Sequence, residues 1–435
     1  MTFFSDRDII NYVEVSAEPE LTRRTQAKEF FIFFLKSDHL GTPIFFGGVF
    51  FFSFKIGEWI MRILHTGDLH LDSAFSSFSH KDAEQYREFG RLLLKNIFEC
   101  AKYEKCQMIL MAGDVFDSRF VSPDTKDVFL SLVRAIDVPV IVSPGNHDPY
   151  TENSFYSVIQ KEKPDNLYIF DSTELKSIDL DDLRVRVFGY AFTSPVINES
   201  PLLSAELPQD NGYLKLLCAH ADLASPISRY APLSLTEIIR GGFDYAALGH
   251  IHNCNDSEDP NGRVRYCGFA EGRSFDELGE GGVLIVDVDE DSCSVKKEVL
   301  STRSFFIDKY VVPADSETLA QNISAFIKSK DYPQNTYLRL ELTGAAESRT
   351  VKEIKAKTEE ICEETELAYL EFLDSTLPVY DGSYLEKDVT VRGEIYRKLM
   401  PKLTSADIEE RRQGLLSLKI ALTAIDGGNV FDIIK

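Results

Sequence analysis

The stretch ILHTGDLHLDS at residues 63–73 decides the fold, because a short apolar run ends there in a cluster of polar residues. Three similar clusters follow apolar runs: GDVFD at 113–117, GNHD at 145–148 and GHIH at 249–252. His220 follows a further run, so that five of the eight histidines lie in such positions. Short apolar runs bounded by Gly or Pro are typical of buried strands, and open α/β sheets bind ligands beyond the carboxyl ends of strands. We therefore predict one ligand site built from all five places.

The residue types in these clusters predict a metal centre. Carboxylates, imidazoles and one amide oxygen form a mixed ligand set that suits Mn, Fe, Zn and similar divalent ions. The candidate ligands are Asp68, His70, Asp114, Asn146, His220, His250 and His252. His250 and His252 are two residues apart, so they point the same way on an extended segment and bind either one ion together or one ion each. The set is too large for one tetrahedral zinc, whereas two ions about 3.5–4 Å apart, bridged by a carboxylate such as Asp114, would use all of it.

The order of these motifs resembles the calcineurin-like metallophosphoesterase superfamily. Within that superfamily, ILHTGDLHLDSAF at 63–75, ALGHIH at 247–252 and YCGFAEGRSFDELGEGG at 266–282 are similar to the SbcD-type DNA repair exonucleases, especially the YhaO-like branch. The resemblance covers residues 61–300 by motif and residues 301–435 only in general layout.

The resemblance implies a role for each residue of the site. Asp68, His70 and His252 would bind one ion, Asn146, His220 and His250 the other, and Asp114 would lie between the two. His147 is implied as the histidine that is not a ligand and that protonates or stabilises the leaving oxygen. Asp148 either orients that imidazole or is a structural cap. We expect two divalent ions, with Mn²⁺ first and Fe, Zn or Mg as alternatives.

From Met61 onwards, the sequence alternates between strand and helix patterns, which predicts layered α/β architecture. Helical spacing of apolar residues predicts a helix over 82–101, and Ser122-Pro123 predicts the start of the next helix as its N-cap and first residue. We expect irregular loops at 191–212 and 222–240. For residues 61–300, the resemblance implies a metallophosphoesterase catalytic domain that folds as a four-layer αββα sandwich.

Two further regions follow the catalytic domain. A β-α-β-α-β pattern predicts a small separate α/β unit at residues 301–378, and the resemblance implies that it is a cap domain on the catalytic domain. Residues 379–435 are predicted to form a helical tail with amphipathic spacing. That tail either packs on its own cap domain or, as the resemblance implies, docks on an SMC-like coiled-coil ATPase. The chain contains no GxxxxGK[ST] loop, so any ATP dependence would come from that partner.

Residues 1–60 differ in composition from the rest and hold 12 of the 31 phenylalanines. Their longest apolar stretch is too short to span a bilayer and lies too far from the terminus for a signal peptide. We hypothesise that the native protein begins at Met61 and that this Phe-rich leader comes from an over-extended gene model. The alternative is a genuine extension that binds a partner or a membrane surface. Peptides from residues 1–60 in the endogenous protein would refute the hypothesis.

The net charge of −23 excludes a generic nucleic-acid coat protein, which would be basic. It does not exclude a nuclease, because two divalent ions make a site locally positive. The basic residues best placed to meet a phosphate backbone are Arg119, Arg229, Arg263, Arg265 and Arg273, of which we select Arg119, Arg229 and Arg273. Seven cysteines without a CxxC pair indicate structural thiols in a reducing cytosol, so we expect a cytoplasmic protein that does not bind membranes.

Three classes of function fit these observations. The first is a metal-dependent DNA exonuclease, or also endonuclease, that acts in repair and has DNA, the ATPase and a second copy of the chain as expected partners. The second is another phosphoesterase of the same superfamily, with a nucleotide or a phosphoprotein as substrate. The third is a scaffold for an ATPase that has no catalytic activity. The complete ligand set argues against the third, and the 63–75 motif together with residues 301–435 favours the first.

Overall fold

A computed structural model of the chain describes residues 9–12, 32–36, 44–46, 49–54, 60–73, 80–117, 121–203, 212–253, 259–313, 318–346, 348–378, 382–427 and 430. In the leader, the strands β1 (Ile9–Tyr12), β2 (Ile32–Lys36), β3 (Ile44–Phe46) and β4 (Val49–Phe54) pair in the order β1-β2-β4-β3. The proposed origin of the leader stays a prediction.

The first large sheet has six strands and starts from the 63–73 stretch. Its strands are β5 (Met61–Thr66), β6 (Met108–Met111), β7 (Val140–Val142), β8 (Leu167–Ile169), β14 (Gly282–Val288) and β15 (Cys293–Val299). Their order is β15-β14-β5-β6-β7-β8, in which β5 to β8 run parallel and β14 pairs antiparallel with β5. The ends of β5, β6 and β7 therefore meet at one edge.

The second large sheet has five strands. They are β9 (Lys176–Leu180), β10 (Val185–Gly189), β11 (Leu214–His220), β12 (Tyr245–Gly249) and β13 (Val264–Tyr266). The order is β13-β12-β11-β10-β9, with only β9 antiparallel. The ends of β11 and β12 carry the remaining histidines of the predicted site.

The two sheets pack face to face, and helices cover their outer faces. Ile63 and Leu110 meet residues such as Leu216 in the core between the sheets. Their neighbours in the chain, Leu64 and Ile109, point the other way, because side chains alternate along a strand. The outer face of the six-stranded sheet packs on α1 (His80–Tyr103), α2 (Pro123–Arg134) and α3 (Phe155–Ile159), and that of the five-stranded sheet on α4 (Leu235–Gly241). The predicted four-layer αββα sandwich is confirmed.

Residues 301–378 form a separate sheet with its own helices, here called the 301–378 unit. Its strands are β16 (Ser304–Val312), β17 (Thr336–Ala346), β18 (Tyr369–Asp374) and the short β19 (Leu377–Pro378), all parallel. The helices α5 (Leu319–Lys328), α6 (Ser348–Ala356) and α7 (Thr358–Thr365) pack on one face of it. The predicted β-α-β-α-β order is present, with a break in the second helix at Lys357.

The described part of the tail contains three helices: α8 (Gly382–Lys387), α9 (Val391–Leu403) and α10 (Ile408–Ile425). The buried Lys419 of α10 donates hydrogen bonds to Asp374 Oδ2 at 2.9 Å and to the Thr376 carbonyl at 2.7 Å. Leu418 and Leu422 of the same helix pack with Leu385. One face of the tail is therefore attached to the 301–378 unit, as the first of the two alternatives expected. Within the described part of the chain, no helix combines the length and apolar character that crossing a bilayer requires.

One loop prediction was partly wrong. The stretch 222–240 was expected to be irregular, yet α4 begins inside it. Ser234 is the N-cap of α4, and its side chain and that of Glu237 form a reciprocal capping box. The S-x-x-E spacing was therefore a helix signal that the loop interpretation missed.

Candidate metal centre

The ends of five strands from two sheets form the site. Asp68 and His70 follow β5, Asp114 follows β6, and Asn146 and His147 follow β7, all at the same edge of the six-stranded sheet. The five-stranded sheet contributes His220 at the end of β11, and His250 and His252 just after β12. The strand ends thus bring together residues that are far apart in the sequence.

The first group of candidate ligands is Asp68, His70 and His252. One side-chain nitrogen or oxygen of each lies within 4.8 Å of the others. This group matches the first ion assignment that the resemblance implied. Asp68 and His70 are almost fully buried, whereas His252 is partly exposed.

The second group surrounds His220. Its Nε2 lies 3.3 Å from Asp114 Oδ2 and 3.0 Å from Asn146 Oδ1. The ring of His250 lies 5.1 Å from that of His220, measured between centroids. Asp114 Oδ2 also lies 3.9 Å from His70 Nε2, so one carboxylate oxygen faces both groups. Asp114 therefore has the position expected of the bridge.

The second nitrogen of three imidazoles is held by an acceptor. Nδ1 of His70 donates to Asp117 Oδ1 at 3.2 Å, that of His220 to the Ala112 carbonyl at 3.0 Å, and that of His252 to Glu277 Oε1 at 2.8 Å. Each contact holds Nδ1, so that Nε2 is the nitrogen directed at the centre, which is how metal-binding histidines are oriented.

His70 gives the clearest test of whether the residues fit a metal. Its Nε2 is buried and has no hydrogen-bond partner. A buried polar atom without a partner costs free energy, on the order of 1–3 kcal/mol. A divalent ion shared with Asp68 and His252 would satisfy that nitrogen. His220 Nε2 faces two oxygen acceptors, so it too needs a proton or a cation between them. The donor set fits divalent ions.

The backbone is strained at these positions. The residues Asp68, His70, Asp114 and His250 all have positive φ, with values of 49°, 47°, 49° and 104°. Residues other than glycine rarely adopt this region, and such strain is concentrated at functional sites. The neighbouring Gly145 allows close approach, because a Cβ there would lie 2.2 Å from Asp114 Oδ1.

Burial and charge act in opposite directions on the central groups. Burial alone would lower the pKa of His220, but the Asp114 carboxylate raises that pKa to about 9. Burial would raise the pKa of Asp114, yet His220 and His70 hold it well below its usual range. The pKa of His250 is lowered, by burial and by the charge of His220. Without an ion, protons therefore neutralise part of the acidic centre.

His147 lies at the open side of the site. Its side chain is 49% exposed, and Nδ1 donates to Asp117 Oδ1 at 2.7 Å. That hydrogen bond raises the pKa of His147, which favours the protonated ring. One nitrogen of the ring also lies within 4.8 Å of ligand atoms of His70 and Asp114. An exposed, protonated imidazole beside a metal centre is suited to donate a proton to a leaving group.

Asp148 does not contact the His147 imidazole, so the expectation that it orients this ring is wrong. Its carboxylate accepts hydrogen bonds from the backbone N–H groups of Gly145, Val115 and Phe116, and from the Tyr156 hydroxyl. It thereby connects the loops after β6 and β7. This is the structural role that was the second alternative for Asp148.

The predicted phosphate-binding arginines have three different outcomes. Arg273 forms an ion pair with Glu277, in which Nη2 and Nε both donate to Oε1, at 2.6 Å and 3.0 Å, so its charge is largely neutralised. Arg229 is exposed, in the loop before α4. Arg119 lies outside the described residues. Arg263, which was also considered, donates to the carbonyl groups of Asp244 and Asp289 and stabilises a turn.

Sequence reasoning assigned no role to two carboxylates that orient the site. Asp117 accepts from both His70 and His147, and Glu277 accepts from His252. Both residues lay inside quoted motifs, GDVFD and SFDELG. The only signal in the sequence was spacing: Asp117 comes three residues after Asp114, and Glu277 comes four residues after Arg273.

Comparisons with known proteins show what this chain is similar to. Residues 61–254 match the family model of calcineurin-like phosphoesterases. The uncharacterized metallophosphoesterase YhaO of Bacillus subtilis (strain 168) is 28% identical over 242 residues, which cover 52% of this chain and 57% of that protein. The chain thus spans little more than half the length of this relative. A crystal structure of a dimetal phosphatase from Danio rerio is 12% identical and covers 55% of this chain and 98% of its own, with a TM-score of 0.30. The family match and the relative support the superfamily, whereas the SbcD-type subgroup stays a prediction.

Proposed function

We propose that this chain, whose residues 61–254 match the calcineurin-like phosphoesterases, is a two-metal-dependent phosphodiesterase that acts on DNA in repair. Exonuclease activity is the main proposed activity, with endonuclease activity as a further one. Mn²⁺ is the proposed ion. The proposed setting is the cytoplasm, with an SMC-like ATPase as partner.

The observation that supports the hydrolytic part is the buried, unpartnered His70 Nε2 within a convergent set of carboxylates and imidazoles. Such a nitrogen is costly unless a cation occupies the centre. Asp68, His70 and His252 would hold one of the proposed ions, Asn146, His220 and His250 would hold the other, and Asp114 would lie between them.

The chemistry divides between the ions and the protein. Two divalent ions, when bound, supply a water-derived nucleophile at neutral pH and positive charge for the phosphoryl oxygens. His147 donates a proton to the departing sugar oxygen from the exposed side of the site. Asp117 fixes that imidazole through Nδ1 and favours its protonated form. The hydrogen bonds of Asp148 hold the loop that carries Asp114 in a fixed position relative to the loop that carries His147.

DNA is proposed as the substrate for two reasons. The 63–75 motif resembles DNA repair exonucleases, and a compact esterase for small molecules has little need of the 301–378 unit and the tail. The 272–279 loop connects that unit to the candidate metal centre: Phe275 contacts Phe305 at 5.2 Å between ring centroids, and Glu277 contacts His252. Arg229 and Arg119 remain the proposed phosphate contacts.

A second candidate is favoured by the ion pair of Arg273. Because Glu277 neutralises this arginine, the site presents less positive charge to a long phosphate backbone than the sequence predicted. A phosphoesterase acting on a nucleotide or a phosphoprotein needs fewer such contacts.

One experiment separates the candidates. The purified full chain is incubated with Mn²⁺ and one substrate in each of three reactions. The substrates are end-labelled duplex DNA, single-stranded DNA and bis-nitrophenyl phosphate. We expect cleavage of DNA, and no cleavage by the chain after chelation of the metal. Cleavage of the ester alone would favour the second candidate. A protein that binds Mn²⁺ and cleaves none of the three would fit the scaffold class instead.

A further inference from the structure

The 272–279 loop orients one of the proposed metal ligands. Glu277, which is 4% exposed, accepts a hydrogen bond from His252 Nδ1 at 2.8 Å. Arg273 also fixes that carboxylate, because its backbone N–H donates to Glu277 Oε2 and its guanidinium to Oε1. The direction of His252 Nε2 therefore depends on where this loop holds Glu277.

The same loop is attached to the 301–378 unit. The ring of Phe275 lies 5.2 Å from that of Phe305 and 6.5 Å from that of Tyr369, measured between centroids. The guanidinium of Arg339, on β17, covers the Phe275 ring at 4.1 Å from its centroid. The backbone N–H of Gly279 donates to the Phe305 carbonyl at 2.8 Å.

The two attachments are too close to move independently. Phe275 and Glu277 are separated by one residue in the chain. At the start of the loop, a Cβ on Gly272 would lie 2.9 Å from the Phe305 ring, so the backbone is packed directly against the 301–378 unit. A shift of that unit must move Phe275, and with it the carboxylate that orients His252.

We propose that the 272–279 loop couples the position of the 301–378 unit to the metal ion held by Asp68, His70 and His252. Glu277 is the positioning residue, and Phe275 transmits the position of the unit. This inference rests on the metal-binding part of the proposed function, not on its substrate. Coupling of this kind is reciprocal, so binding of the ion also stabilises the docked position of the unit.

The test measures Mn²⁺ binding without substrate, by titration calorimetry and electron paramagnetic resonance. We expect Glu277→Gln to weaken one ion by roughly 10- to 100-fold, which is typical for residues that orient a metal ligand. Phe275→Ala and Arg339→Gln lie further from the ligand and are expected to weaken the same ion by roughly 2- to 30-fold. At intermediate Mn²⁺, these variants should show the spectrum of a single ion where the wild type shows a coupled pair.

Phe306→Ala is the matched control. Phe306 neighbours Phe305 in β16, but it packs on the helix side of the sheet, with its ring 5.1 Å from that of Tyr332. This variant should bind both ions as the wild type does. Circular dichroism and thermal melting check the fold of each variant, and Arg339→Gln alters a partly exposed side chain, which keeps the test informative if Phe275→Ala is unstable.

Two results would overturn the coupling. One is wild-type affinity for both ions in Phe275→Ala or, where that variant does not fold, in Arg339→Gln. The other is an equal loss of affinity in the Phe306→Ala control. Because no substrate is present, failure to cleave DNA leaves the coupling intact. Conversely, loss of the coupling leaves the proposed hydrolysis intact.

Discussion

At the scale of single residues, Asp117 connects the proposed metal ligands to the exposed imidazole. Its Oδ1 accepts from Nδ1 of His70 and from Nδ1 of His147, and Oδ2 accepts from the Ser73 hydroxyl. Burial would raise the pKa of Asp117, but these hydrogen bonds hold it well below its usual range. The carboxylate therefore stays ionised and fixes both rings.

The His147 ring should be needed for turnover and dispensable for metal binding. We expect His147→Ala to lower kcat by about 10²- to 10⁴-fold, the usual contribution of a positioned proton donor. Its Mn²⁺ content should equal that of the wild type, measured by atomic absorption. Loss of an ion in this variant would instead make His147 a ligand, which its distance to His70 and Asp114 permits.

Asp117→Asn tests the origin of the proton on His147. The variant keeps an oxygen acceptor but removes the charge, so the pKa of His147 should fall. Because His147 acts in its protonated form, activity is lost as the pH rises through that pKa. The alkaline limb of the kcat profile should therefore move to lower pH in Asp117→Asn. An unchanged limb would show that another group sets it.

Asp114 is expected to be essential for both ions, since its Oδ2 faces His70 and His220 at once. Asp114→Ala should abolish Mn²⁺ binding and activity together, as measured by calorimetry and by ester or DNA cleavage. Asp137, an exposed carboxylate after α2, provides the control. Asp137→Ala should bind Mn²⁺ as the wild type does.

At the scale of elements, helix starts and strand ends could be predicted because local chemistry determines them. Ser122 accepts from the Thr125 backbone N–H and precedes Pro123, as the N-cap signal indicated. The apolar runs before each motif are strands because they are buried on both faces. By contrast, β15 was missed, since its alternating exposed residues belong to the edge of the sheet. Tertiary packing, rather than hydrophobicity, makes it a strand.

The interface between the two large sheets should make the protein acid-sensitive. His65 of β5 is fully buried and contacts Tyr245 Oη at 2.9 Å and the Leu248 carbonyl at 3.2 Å, both in β12. Burial lowers its pKa from 6.5 to about 3, so the unfolded chain binds a proton that the folded chain does not. Stability from this residue is complete above pH 6.5 and is lost as the pH falls towards 3.

The expected loss at pH 5 is about 2 kcal/mol in the free energy of unfolding, relative to pH 8. Urea unfolding at both pH values measures it. In His65→Gln the same change of pH should cost about 2 kcal/mol less than in the wild type, because glutamine does not titrate. Equal pH dependence in the two proteins would contradict the assignment.

At the scale of the whole molecule, the sequence predicted which residues converge but not what orients them. The order of motifs gave all seven candidate ligands, because parallel strands bring their carboxyl ends to one edge. The role of Glu277 depends on a loop that folds back from the contact with the 301–378 unit to His252, 25 residues away in the chain. Likewise, the choice between the two alternatives for Asp148 needed the structure, because most of its partners are backbone N–H groups, which side-chain spacing does not reveal.

The attachment of the tail to the 301–378 unit depends on one buried cation. Lys419 is 5% exposed and is paired with Asp374, whose pKa is lowered despite burial by hydrogen bonds from Thr376 and Lys419. Removing one partner of a buried pair leaves an uncompensated charge, at a cost of about 3 kcal/mol. Because α10 contacts the unit at this point, we expect this loss to weaken the free energy of docking of the tail on the unit.

Lys419→Met keeps the packed side chain and removes the charge, so it should release the tail without unfolding the sheets. A docking cost of about 3 kcal/mol corresponds to about 100-fold faster hydrogen exchange for the amides of α10. Amides of β5 and β6 should exchange at wild-type rates. Lys398→Ala, at an exposed position of α9, is the control and should leave α10 protected. If α10 in Lys419→Met stays as protected as in the wild type, the Lys419 pair does not hold α10, and the packing of Leu418 and Leu422 on Leu385 within the tail accounts for its protection.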